Sequence, residues 1–126
     1  MLKHILIVAA GGALGAVLRY LNHIFISALF GHNVPWATLI SNILGCFLMG
    51  VAFVWFIDKY QASESIRLFV MVGFLGALTT WSTFSMETVL MINTGELIKG
   101  FTYLLATFIL CFTAFFIGMK LTEAFA

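Results

Sequence analysis

Charge is what this chain most conspicuously lacks. Six Lys and Arg and five Asp and Glu make up 9% of its 126 residues, where a soluble domain carries about 25%. A chain that is 63% hydrophobic with a mean hydropathy of +1.12 cannot be kept in water by so thin a polar coat. A soluble enzyme or carrier is therefore excluded. The net charge of +1 offers no basic surface for nucleic acid. Walker loops, dinucleotide fingerprints and zinc motifs are all absent, so no nucleotide partner is expected. Cysteine is scarce too. Cys46 and Cys111 lie far apart inside apolar runs with no CxxC pattern, and the plain reading is two buried small residues. His4, His23 and His32 stand near segment ends without the spacing of metal ligands.

What is present is long apolar sequence. The chain reads as an all-α integral membrane protein, one four-span domain lodged as a multi-pass protein in the cell inner membrane with the lipid bilayer as its solvent. The expected spans are 5–30, 36–57, 66–92 and 97–119. Lys3 ahead of an apolar run resembles a secretion signal, but Gly11, Gly12 and Gly15 within the run and the spans that follow argue for a retained first helix. Gly31, His32 and Asn33 form a turn, and Pro35 suits the first turn of the next helix. With four crossings, Lys3, Lys59, Arg67 and Lys120 fall on one side, and Lys99 and at most Arg19 on the other. So weak a bias permits insertion in both orientations, and hence an antiparallel homodimer; a slight preference for one orientation is the plainer alternative.

The third span holds the most informative segment, Thr79-Thr80-Trp81-Ser82-Thr83-Phe84-Ser85, in which five of seven residues carry hydroxyls and two are aromatic. Hydroxyls and irregular backbone facing hydrocarbon without partners are costly. With Gly73 and Gly76 just ahead, the pattern suggests a helix interrupted near its centre, its freed backbone groups turned to something polar. An unbroken helix whose hydroxyls bond back to their own carbonyls fits the pattern equally.

Helical spacing puts Thr80, Thr83 and Glu87 on one stripe, with Trp81 and Phe84 beside it. Thr38, Asn42 and Gly45 share a face of the second span, and Tyr103, Thr107 and Cys111 share one of the fourth. Three such lines can meet as a hydrated track, or simply bond one another. Arg19 and Glu87 are the charges embedded in the spans, functional candidates by default. Arg19 either snorkels or faces an aqueous vestibule, where it would draw anions. Glu87 must be protonated, hydrated or bonded to a hydroxyl such as Thr83. Gly11 and Gly15, with Gly12 and Ala16 beside them, have the spacing of close helix packing.

Three blocks of the sequence resemble the small fluoride channels of the Fluc (CrcB) family. They are Gly-Gly-Ala-Leu-Gly-Ala-Val-Leu-Arg-Tyr at 11–20, the stretch from Asn42 through Gly45 and Phe47 to Gly50, and the run from Gly73 to Ser85. The resemblance implies a passive fluoride-selective channel, an antiparallel homodimer with two pores and a broken third span. It also implies a structural sodium ion at the dimer centre, held by the carbonyls of Gly76 and Thr79. On the same ground Asn42 is the pore asparagine, Trp81 and Phe84 are the pore aromatics, and Arg19 is the vestibule arginine. Ser82, Thr38, Thr83, Glu87, Tyr103, Thr107 and Thr113 are assigned to the hydroxyl-rich pore lining. Departures from the family pattern are Trp81 for the usual Phe, Ala77 for a common Gly, and Ile109 and Cys111 where Ser is frequent.

The alternative is a proton-coupled exporter of the small multidrug-resistance type. Those proteins depend on an acidic residue in their first span, and this chain has none there. A structural subunit or an intramembrane enzyme is a further rival. No Lys, His or Asp base lies near Ser82, Thr83 or Ser85 in sequence, which argues against catalysis.

Overall fold

The computed structural model describes residues 1–126. Four helical segments are long and apolar enough to cross a membrane, Leu2–Phe30, Trp36–Lys59, Glu64–Asn93 and Leu97–Phe125. The third is interrupted, so the chain is built of five helices. We label them α1 (Leu2–Phe30), α2 (Trp36–Lys59), α3 (residues 64–78), α4 (Trp81–Asn93) and α5 (Leu97–Phe125).

Every span is longer than its apolar run implied, because the helices carry on into the polar flanks. Ser63 explains one such boundary: its hydroxyl accepts the Ile66 N–H at 3.4 Å and starts α3 before the apolar residues begin. At the other end of the chain α5 runs on to Phe125, with Lys120 and Glu123 paired at 2.7 Å along its last turns. Pro35 caps α2 from outside rather than sitting in its first turn; Trp36 is the first helical residue. Gly95 turns the chain from α4 into α5 at φ 87°, a left-handed conformation that glycine adopts freely. Widely wound turns occupy Val54–Lys59 and Leu68–Leu75, where the Tyr60 N–H reaches back to the Trp55 carbonyl at 3.0 Å.

Two glycine crossings set the frame. At the first, a methyl group on Gly15 would overlap the Phe74 carbonyl, and one on Gly11 the Phe69 carbonyl. The Gly11–Gly15 pair therefore seats α1 directly on the backbone of α3 in the same chain, with Gly73 opposite. At the second, a methyl on Gly50 would overlap the Phe115 carbonyl and one on Gly118 the Phe47 carbonyl, which locks α2 to α5. His4 lies 3.9 Å from Glu64, so the N-terminus and the α2–α3 connection occupy one end of the bundle. The α1–α2 and α4–α5 turns lie together at the other, around one hollow.

The broken span and its three hollows

Thr79 and Thr80 are extended, at φ −83°, ψ 154° and φ −148°, ψ 117°. The third span is thus interrupted for two residues, and the freed backbone is repaired from outside. Asn42 of α2 does most of this. Its Oδ1 accepts the Thr80 N–H at 2.8 Å and its Nδ2 donates to the Thr80 carbonyl at 3.1 Å, a two-point bond like that between paired strands. Gly45, one turn along α2, leaves room for the Thr79 methyl, which a side chain there would displace. Thr80 then caps α4: its hydroxyl accepts the Thr83 N–H at 3.2 Å and donates to Thr83 Oγ1 at 3.0 Å.

The break leaves four carbonyls, those of Gly76, Ala77, Leu78 and Thr79, without their helical donors. In a continuous helix the Thr80 N–H would close on the Gly76 carbonyl, and the Thr83 N–H on that of Thr79. The first goes to Asn42 and the second to the Thr80 hydroxyl. Gly76 is exposed on the outer surface of the chain. The helix is interrupted and the unbroken reading of the hydroxyl cluster does not hold, although some of the back-bonds it invoked do form. Thr79 and Ser85 do bond back, to the Leu75 and Trp81 carbonyls at 3.0 and 2.9 Å, whereas Thr80 and Thr83 serve the break.

Around the break lie three hollows that share walls. The first, of about 240 Å³, has the polar side chains Arg19, His23, Thr38, Ser41, Thr80 and Thr83 among its lining. Arg19 therefore turns inward, and its Nε is buried with no hydrogen-bond partner. Thr80 is also a wall of the second, of about 290 Å³, where Asn42, Thr79 and Thr107 meet Trp81, Phe84, Phe108 and Phe112. The aromatics pack edge to face, with Trp81 to Phe84 at 5.2 Å and Trp81 to Phe108 at 5.7 Å. Phe84 is 3% exposed and Trp81 67%, so one ring is fixed in the interior while the other stands on the outer surface. Thr38 joins the first hollow to the third, of about 430 Å³, which also takes in Glu87 and opens at residues 31–35 and Lys99.

Glu87 sits where three helices meet. Thr38 of α2 donates to its Oε1 at 2.7 Å and Tyr103 of α5 to its Oε2 at 2.8 Å. Thr83, the hydroxyl partner suggested by spacing, bonds Thr80 instead. The Thr107 hydroxyl turns back to the Tyr103 carbonyl at 2.8 Å. Ser82 is exposed, with its Oγ 3.4 Å from Thr80 Oγ1. Thr113 is exposed too and lines none of the three hollows.

Residues 6–119 match the sequence profile described as CrcB-like protein, Camphor Resistance (CrcB). The chain belongs to the CrcB family. Among CrcB relatives it is 47% identical over 120 residues to a fluoride-specific ion channel of Hahella chejuensis, covering 95% of this chain and 94% of that one. A protein of the same name from Shewanella loihica is 42% identical over 120 residues, covering 95% and 96%. One from Acidithiobacillus ferrooxidans is 42% identical over 117 residues, covering 93% and 94%.

Two groups around the CrcB break escape a reading by motif. Asn22 donates to Ser41 Oγ at 2.7 Å and to the Ala37 carbonyl at 3.0 Å, tying α1 to α2 beside Arg19. Spacing held the clue, since Asn22 follows Arg19 and Ser41 follows Thr38 by one helical turn. Phe108 and Phe112 were hidden among the many apolar residues of α5; their stacking at 6.3 Å and their place in the aromatic hollow mark them.

Proposed function

We propose that this chain is a fluoride-selective channel that passively lets cytoplasmic fluoride out of the cell. It works as an antiparallel homodimer with two pores and a structural sodium ion at its centre. The names of its relatives support the ion. The observation that carries the reading is the interruption at Thr79 and Thr80, flanked by hollows that share Thr80 and Thr38 as common walls.

A small, tightly hydrated anion must exchange its water for close donors. Arg19 supplies a cation beside the first hollow, and the hydroxyls of Ser41, Thr80 and Thr83 line it. Asn42 commits one amide hydrogen to the Thr80 carbonyl and retains a second. Beyond Thr80 the ring edges of Trp81 and Phe84, the positive rims of their quadrupoles, face an anion in a narrow space. On this reading larger halides are excluded by width between the rings, and cations by the Arg19 charge beside the first hollow. Thr38 and Tyr103 donate hydrogen bonds to Glu87, so an anion passing there competes with the Glu87 side chain for these donors. A negative interior drives the anion out with about 2.3 kcal/mol per 100 mV and needs no other energy source.

The Gly76 and Thr79 carbonyls, both deprived of helical donors, form a hard oxygen set suited to sodium. Gly76 and Trp81 lie on the outer surface at the break, where an inverted second copy would complete both the ion site and the aromatic passage. The bound ion would supply a fixed positive charge between the two broken spans, and the carbonyls would hold it.

The test is efflux from liposomes loaded with potassium fluoride and chloride, with valinomycin setting the potential. Fluoride is expected to leave and chloride to stay. Equal halide fluxes, or a strict need for a proton gradient, would overturn the reading, the latter in favour of a coupled exporter. Replacing sodium by a bulky organic cation is expected to weaken efflux or pairing of the chains.

A further inference from the structure

Helices α2 and α5 run side by side in constant register. Thr38 and Tyr103 meet through Glu87. One turn further along each helix are Asn42 and Thr107, which line the aromatic hollow together. A second turn brings Cys46 opposite Cys111, and beyond them Gly50 lies against Phe115. The two thiols are both half-buried, and both line the aromatic hollow. Neither is a donor in the ion route described above, although both line a hollow on it. No third Cys, His, Asp or Glu lies close enough to complete a larger metal set.

We propose that Cys46 and Cys111 form a two-coordinate site for a thiophilic d10 cation such as copper(I), silver(I) or mercury(II). Soft thiolates select these metals, and two opposed sulfurs with no third donor favour linear coordination over the tetrahedral sites of zinc. On binding, two S–H bonds break, two metal–sulfur bonds form and two protons pass to water; nothing is oxidised or reduced. The glycine crossing one turn away holds the helices at fixed separation, so the sulfurs are preorganised. The metal would sit in the same hollow as Asn42, Trp81 and Phe84 and fill space that, on the channel reading, an anion crosses.

Mercury(II) serves as the probe, read by heavy-atom quenching of Trp81 fluorescence in purified protein with Trp36→Phe and Trp55→Phe. One mercuric ion is expected to bind per chain and to resist competing glutathione, because two thiols on one scaffold bind about 100-fold more tightly than one. Cys46→Ser and Cys111→Ser, nearly isosteric changes, should each abolish that resistance. Two ions per chain, or unchanged retention in either variant, would overturn the site. The mercury-loaded protein is then assayed for fluoride efflux, which should fall and recover with a dithiol. Tight binding with undiminished efflux would overturn the placement of the thiols on the route while leaving the metal site standing. Binding to a protein that never conducts fluoride would instead count against the channel reading.

Discussion

The two halves of the third span are held by opposite means. Between α3 and its neighbours no side-chain hydrogen bond is formed; α1 meets it through bare backbone at Gly11, Gly15 and Gly73, with the His4–Glu64 pair at the outer end. In contrast, α4 is held by the polar side chains Thr38 and Tyr103 at Glu87, and by the aromatic group around Phe84. Asn42 stands at the joint. The difference separates two tasks. Close backbone packing makes a rigid support that needs no polar groups in an apolar setting. Polar ties keep hydroxyls, a carboxylate and an amide in the interior, where they are available to an ion.

The comparison is broken most forcefully on the α3 side. Gly15→Val drives a branched side chain into the Phe74 carbonyl, and a loss of about 3 kcal/mol or more is expected. Thermal unfolding in detergent should show little folded protein, whereas Gly12→Ala, whose methyl would meet only the Gly73 carbonyl at 3.9 Å, should be tolerated. At the joint, Asn42→Ala strands the Thr80 N–H and carbonyl at about 1–3 kcal/mol each. Asn42→Asp keeps the acceptor alone and should recover part of the midpoint of chemical unfolding. On the α4 side, Tyr103→Phe removes a hydrogen bond to a carboxylate, about 1.5–3 kcal/mol. Its effect should shrink in a Glu87→Gln background, as a double-mutant cycle would reveal; full additivity would mean the bond does not matter. Phe84→Ile, which trims and reshapes a ring only 3% exposed, is expected to cost about 1–3 kcal/mol and should leave the fold intact while slowing fluoride efflux. Unaltered efflux would remove Phe84 from the proposed pore. The smallest change is expected from Asn22→Leu, about 0.6 kcal/mol for one interhelical bond, seen as a slight drop in melting temperature.

Much of this was legible before any coordinates. Apolar length set the number of spans, and the Gly11–Gly15 spacing marked a close helix crossing. The hydroxyl–aromatic run marked the break. Thr38, Asn42, Glu87 and Tyr103 were each picked out by helical spacing, though not their partners. Boundaries came out short because capping residues such as Ser63 extend a helix beyond its apolar face. Thr113 was assigned through the family resemblance, and it is exposed and lines none of the three hollows around the break.

By itself, then, the sequence determined that four apolar segments cross a membrane and that the third carries polar groups it cannot leave bare. Periodicity is a property of one helix, and it says which residues share a face. Which faces meet is a property of the packed bundle. Only the tertiary structure decided that Asn42 mends Thr80, that Glu87 answers to Thr38 and Tyr103 rather than Thr83, and that Cys46 comes to lie against Cys111. Those pairings follow from the register in which glycine crossings lock the helices, and no single segment encodes that register.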